Sequence, residues 1–260
     1  MTSCTLLRIL EVKMHELVSY GIGRYEDWKN SSSPLKPTDD ENANQCYNDI
    51  ERYPHMFVLA CLMDRQIKAE VAWKIPYALC CHLGTFEMEG LARATREEIS
   101  DWFADNRPHR YNTTMAVVFY EALQRIHDVY NDDASEIWEG CPNSAAVVCR
   151  FLQFKGAGVK IATMAANLLV RDYHVEMADY CSIDISPDAH VRRIFHRLGL
   201  IPREDNLEMT IYKARELYPC YPGIIDVACW EIGREYCRPK NPDCESCPMS
   251  SCCPTHEAMG

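Results

Sequence analysis

Five of the chain's fifteen cysteines fall within seventeen residues, CRPKNPDCESCPMSSCC, from Cys237 to Cys253. The stretch is interrupted by proline and poor in apolar residues, so it cannot bury a core of its own. Something other than the hydrophobic effect must hold it folded. Cys237, Cys244, Cys247 and Cys253 follow a C-x6-C-x2-C-x5-C spacing. Four thiolates from one short loop suit either Zn2+ or an iron–sulfur cluster. A structural zinc site usually pairs two short knuckles across a long gap. Here there is no second knuckle, and the single compact loop favours a cubane cluster wrapped by its own ligands. Cys252 beside Cys253 leaves the fourth ligand open.

The rest of the chain reads as an ordinary globular protein. Its 260 residues can bury a sizeable core in one large domain or two interleaved ones. The opening segment carries Arg8, Glu11, Lys13 and Glu16 at helical intervals and reads as a helix, not a leader peptide. Nothing approaches the apolar run a membrane helix requires. The expected setting is the reducing cytoplasm, alongside the chromosome, where cysteines do not form a disulfide framework. The remaining cysteines, such as Cys61, Cys80, Cys81 and Cys149, sit among apolar neighbours as core filler.

A net charge of −11 argues against a sequence-blind polyanion binder. The charge is uneven, however. Between Ala145 and Leu200 seven Arg and Lys face five Asp and Glu, so that window is +2 and the remainder is −13. A surface that meets a polyanion is expected there.

Helical periodicity dominates and few segments alternate with period two, which predicts an all-α fold of roughly ten helices. Leu6, Leu7, Leu10 and Val12 mark a first helix, and residues 30–45 a mobile polar loop. YPHMFVLACLMDRQIKAEVAWKI reads as an apolar helix turning polar, with Gln66 at its polar end. TREEISDWFAD opens on a capping box of Thr95 and Glu98.

The cysteine spacing, placed after a helix ending in CWEIGREYC, resembles the [4Fe–4S] loop of endonuclease III-type DNA glycosylases. That family carries a helix–hairpin–helix, typically Leu-Pro-Gly-Val-Gly-x-Lys, followed by an aspartate in a Val-Asp-Thr-His-Val-x-Arg context. This chain has FKGAGVKIA from Phe154 and SPDAHVRRIFHRLGL from Ser186, in the same order and both in the basic window. LACLMDRQIKAEVAW places Gln66 on the family's duplex-filling glutamine, and HRYNTTMAVVFYEA from His109 is a weaker match. The resemblance spans roughly Pro54 to Cys253.

It implies two all-α domains: a bundle over 54–172 carrying the hairpin, and a second domain of 1–53 plus 173–260 with the cluster loop at 237–253. The active site would lie between them. The implied partner is double-stranded DNA bearing a damaged base or abasic site, met by a monomer. Lys160 would be the nucleophile that attacks the sugar C1′, forms an imine and permits β-elimination; otherwise it is a phosphate contact. Asp188 would stabilise the oxocarbenium-like sugar, or merely cap its helix. Asp184 competes with it, although its surroundings match the family less well. Gly156 and Gly158 would let backbone N–H groups approach a phosphate, with Lys155 beside them. The flipped-out base leaves a gap that Gln66 would fill. Arg192 and Arg193 are phosphate or structural partners.

Several positions depart from the family pattern. Phe154-Lys155 replaces Leu-Pro, Ala157 replaces Val and Ala189 replaces Thr. Lys160 and Asp188 stand 28 positions apart, further than in the typical enzyme. The intervening YHVEMADYCSIDIS is expected to form a loop or hairpin beside the site. Oxidised pyrimidines are the default substrate, but a reshaped pocket suits alkylated or deaminated purines and a monofunctional enzyme using water. A non-catalytic iron–sulfur DNA-binding regulator is the alternative from another class, though it has no need of Lys160 and Asp188.

Overall fold

The computed structural model describes residues 15–31, 34–204 and 206–258. The expected helix at Leu6–Val12 lies outside them. Every element among the described residues is helical.

Helices α1 (Glu16–Lys29) and α2 (Glu41–Asn48) come first. The polar stretch expected to stay a loop through residue 45 is helical from Glu41. The Asp40 side chain caps α2 by accepting from the N–H groups of Asn42 and Ala43. Tyr47 on this helix is buried, donates to the Trp73 carbonyl and packs edge-on against its ring.

Helix α3 (Pro54–Met63) is the centre of the molecule. All ten of its residues are buried, so it shows no amphipathic face. Phe57 meets Trp73, Trp138, Phe151 and Tyr173 edge-on at 5.2–6.3 Å. Aromatic pairs in this arrangement contribute about 0.5–1.5 kcal/mol each beyond the area they bury. Helices α4 (Ala69–Ala72), α5 (Ile75–Leu83), α6 (Met88–Ala92), α7 (Arg96–Asn106) and α8 (Asn112–Tyr130) follow; α5 and α8 pack on α3, and α6 and α7 pack on α8. Both hydrogen bonds of the Thr95–Glu98 capping box are present at the start of α7.

The single helix expected from Tyr53 to Ile75 is broken. Helix α3 stops at Met63, and residues 64–68 form a loop in which Gln66 adopts φ +57°. A left-handed residue cannot continue an α-helix. Gln66 therefore sits on a loop, not on a helix end.

Helices α9 (Ser144–Leu152) and α10 (Val159–Asp172) follow, then α11 (Ala189–Arg197), α12 (Leu207–Leu217), α13 (Asp226–Glu235) and α14 (Pro254–Glu257). Helix α1 returns to pack on α13. The Arg24 guanidinium holds the Glu231 carboxylate at 2.7 and 2.8 Å, and Tyr25 meets Tyr221 edge-on. No helix among the described residues is long and apolar enough to cross a membrane.

Segment 173–188 is an irregular strap, with no strand. Met177, Ile183 and Ile185 anchor it in the core. Its backbone bonds to Pro142 through Ala178 and to Gly223 through Ile183.

Candidate active site and cysteine loop

Helices α9 and α10 are joined by the tight turn 153–158. Gly156 has φ +85°, a region that L side chains rarely adopt. A Cβ there would also meet Val118 at 2.9 Å and the Arg65 guanidinium at 3.2 Å. Gly158 is extended and open, with nothing within 4 Å of an added Cβ. It starts α10 without a side-chain cap, so that helix's first N–H groups keep no side-chain partner at the cap. Phe154 is buried, stacked parallel to Tyr130 under the Arg125 guanidinium, which accounts for an aromatic residue at this position. Lys155 is exposed and reaches Glu121 at 3.3 Å.

Lys160 lies half-buried in the first turn of α10. Asp188, also half-buried, is the N-cap of α11, and its Oδ1 accepts from the Val191 N–H at 2.8 Å. Lys160 and Asp188 both act electrostatically on the same two carboxyls, Asp64 and Asp226. Burial raises the Asp64 carboxyl above its ordinary value, Lys160 opposes that shift, and Asp188 and Glu70 add to it. The Asp226 carboxyl is pushed up to about 7, first by burial and then by Asp188. The Ser186 N–H, Arg171 and Lys160 pull it back. Asp226 keeps some exposure, so its carboxyl feels the buried surroundings without being sealed from solvent. One lysine and three aspartates thus share one region.

Sequence reasoning missed Asp64 and Asp226. Asp64 directly follows the apolar helix α3, and Asp226 opens α13 directly after Ile224 and Ile225. That was the available signal. Asp184, the competitor of Asp188, is buried in a two-pronged ion pair with Arg215, both contacts 2.7 Å. It belongs to the scaffold.

The scaffold registers these groups by side-chain-to-backbone bonds. Asn167, buried on α10, donates to the Gly223 carbonyl at 2.9 Å and accepts from the Tyr221 hydroxyl. Gly223 lies three residues before Asp226. The Ser186 N–H, two residues before Asp188, donates to Asp226 Oδ1 at 3.1 Å. Gly233 in α13 lets His190 pack directly on the helix backbone, since any Cβ would overlap the imidazole.

Gln66 is exposed, and its Oε1 accepts from the Tyr111 hydroxyl at 2.7 Å. The weaker motif from His109 therefore lies beside the Gln66 loop. Arg192 is half-buried, donating to the carbonyls of Asp188 and Glu204. Arg193 is 6% exposed and donates to the carbonyls of Ala189, Gly233 and Cys237. Of the two roles open to it, the geometry supplies the structural one, because a guanidinium enclosed by carbonyls offers no face to a phosphate.

Cys237, Cys244, Cys247 and Cys253 line one cavity with Arg197, Tyr236 and His256. Burial and the neighbouring thiols raise the Cys244 and Cys247 thiols. The Arg197 guanidinium donates to Cys237 Sγ at 3.3 Å. Cys252 does not line the cavity. Its thiol is pushed up to about 11 by burial and by Glu16 of α1. Among the described residues no three Cys, His, Asp or Glu converge to hold a metal ion. The thiols surround a space and do not meet at a point.

No family model and no curated protein matches the sequence. Solved structures do. A trapped endonuclease III–DNA covalent intermediate superposes with TM-score 0.62 at 16% identity, over 94% of this chain and 95% of that one. A non-covalent endonuclease III–DNA complex gives 0.61 at 15% identity, over 93% and 96%. A thermostable thymine-DNA glycosylase gives 0.62 at 15% identity, over 94% and 97%. The match runs nearly end to end in every case, and the chain has the endonuclease III-like all-α fold.

Proposed function

We propose that this protein is a DNA repair glycosylase that flips a damaged base out of duplex DNA and excises it, with associated abasic-site lyase activity. The observation that carries this reading is the meeting of Lys160 and Asp188 around Asp64 and Asp226, on a fold shared with endonuclease III. A regulator that only bound DNA would have no use for such a group.

The domain division follows the same reading, 54–172 against 1–53 plus 173–260, with Tyr47 of α2 packed on Trp73. The hairpin at Gly156 and Gly158 binds a phosphate through backbone N–H groups, which tolerates an acidic protein. Gln66, held by Tyr111, fills the gap left by the extruded base. Arg192 and Lys155 would contact the DNA backbone. Asp188 stabilises positive charge on the sugar, and Lys160 attacks C1′. DNA-associated action as a monomer in the cytoplasm is consistent with this.

The cavity fits a [4Fe–4S] cluster. Four thiols ring it, an arginine N–H points at one of them, and a cubane takes one thiolate per iron around a volume. Cys237, Cys244, Cys247 and Cys253 would hold it. The cluster would supply the folding energy that the loop lacks in apolar area.

Incubation with duplexes carrying an abasic site, an oxidised pyrimidine or an alkylated purine, with and without borohydride, tests the function. A covalent adduct that Lys160→Ala loses is the expected result. Base release without an adduct would make the enzyme monofunctional. Silence on every lesion with DNA binding intact would establish the regulator.

A further inference from the structure

Endonuclease III-type chemistry, as read above, assigns tasks to one lysine and one aspartate. The second and third carboxyls of this site have none. Asp226 is the better placed of the two. It stands at the first position of α13, where Oδ1 is held by the Ser186 N–H at 3.1 Å. That bond ties Asp226 to the short segment leading into Asp188, whose carboxylate acts electrostatically on it. Asn167 fixes the turn before Asp226 to the helix that carries Lys160. Asp226 is therefore tied by backbone bonds to both partners.

The groups facing it come from every element packed there. Asp188 precedes α11, Lys160 and Arg171 lie on α10, Tyr221 lies in the preceding turn, and Cys229 lies on its own helix. Arg171 is already paired with Asp172 at 2.6 and 2.8 Å. Burial first, and then the Asp188 charge, favour the protonated form of the Asp226 carboxyl.

Resting on the glycosylase reading, we propose that Asp226 is the general acid of this site and protonates the departing base, while Asp188 faces the sugar. As the C1′–N bond breaks, its electron pair leaves with the base. The base takes the proton of the Asp226 carboxylic acid, which becomes carboxylate and recovers a proton from solvent. Asp188 faces the positive charge left on the sugar, and Lys160 or water then bonds to C1′. A carboxyl that titrates at about 7 holds a usable share of its proton at neutral pH.

This division selects substrates. A neutral damaged base needs the proton to leave. An alkylated purine with a fixed positive charge leaves as a neutral molecule without it. The proposal therefore assigns the enzyme to neutral lesions.

The test compares Asp226→Asn and Asp226→Glu with wild type in single-turnover base release. One duplex carries an oxidised pyrimidine, the other 7-methylguanine, and both are followed across neutral pH. Asn keeps an acceptor for the Ser186 N–H, so the fold is preserved. Asp226→Asn is expected to slow release of the neutral base about 100-fold. It should also abolish that reaction's decline as pH rises through neutrality. Any release of 7-methylguanine should change by less than about threefold, on the scale where a lost general acid costs far more. Asp226→Glu should restore part of the neutral-base rate.

Equal loss on both substrates would show a merely structural role and overturn the proposal, as would a variant with wild-type rates and pH profile. Wild type releasing only the cationic base would overturn it too. Wild type releasing neither base, and forming no adduct at an abasic site, would instead overturn the glycosylase reading beneath it.

Discussion

Arg193 Nε donates to the Cys237 carbonyl at 2.7 Å, joining the helix that follows Asp188 to the first cysteine of the loop. Its Nη2 donates to Gly233 in the helix that begins with Asp226. One buried side chain thus holds the cysteine loop, α11 and α13 in register. The distant loop and the proposed catalytic helix ends are mechanically connected.

Arg193→Ala should therefore act on stability. It strands the Gly233 and Cys237 carbonyls, whose partner is lost, a cost of about 2–4 kcal/mol. Denaturant titration should show that loss. The salt dependence of DNA binding should stay at its wild-type slope, which a phosphate contact would not allow.

The two hairpin glycines should respond differently to alanine. Gly156→Ala forces a side chain into φ +85° and against Val118, costing about 1–3 kcal/mol and weakening binding to an abasic duplex. Gly158→Ala has open space at an extended backbone, so its folding stability should stay within about 0.5 kcal/mol of wild type. Thermal unfolding and a binding titration on both variants check this.

The loop cysteines should separate in the same way. Cys237→Ser and Cys253→Ser should lose absorbance near about 400 nm, the signature of an iron–sulfur chromophore, together with bound iron. Cys252→Ser should keep both, because Cys252 stands outside the cavity and its thiol donates to the Met249 carbonyl. Iron analysis of the purified proteins distinguishes the outcomes.

Asp226 should also leave a mark on stability against pH. Its carboxyl titrates at about 7 in the fold, against about 4 in an unfolded chain. The folded state binds the extra proton between those values, so this group's contribution is complete at low pH and is lost as pH rises toward 7. Asp226→Asn should be more stable than wild type at pH 8 by about 1–3 kcal/mol, and the gain should shrink toward pH 4. Urea melts across that range measure it.

Much of this was legible in the sequence because it depends on short-range pattern. Helical period, the Thr95 capping box, the Gly-Ala-Gly turn and the cysteine spacing are all set by neighbours a few residues apart. So is the capping position of Asp188. What sequence could not decide was which groups meet across long separations. Asp64 and Asp226 lie 162 positions apart, yet both feel Lys160 and Asp188. Helix ends brought together by core packing, not by spacing, create that region. The burial that shifts Asp226 comes from the same packing. Arg215 takes Asp184 into an ion pair, and Cys252 stands outside the cavity that Cys253 lines. Composition is blind to both, because a side chain's charge partners are fixed only when distant elements close around it.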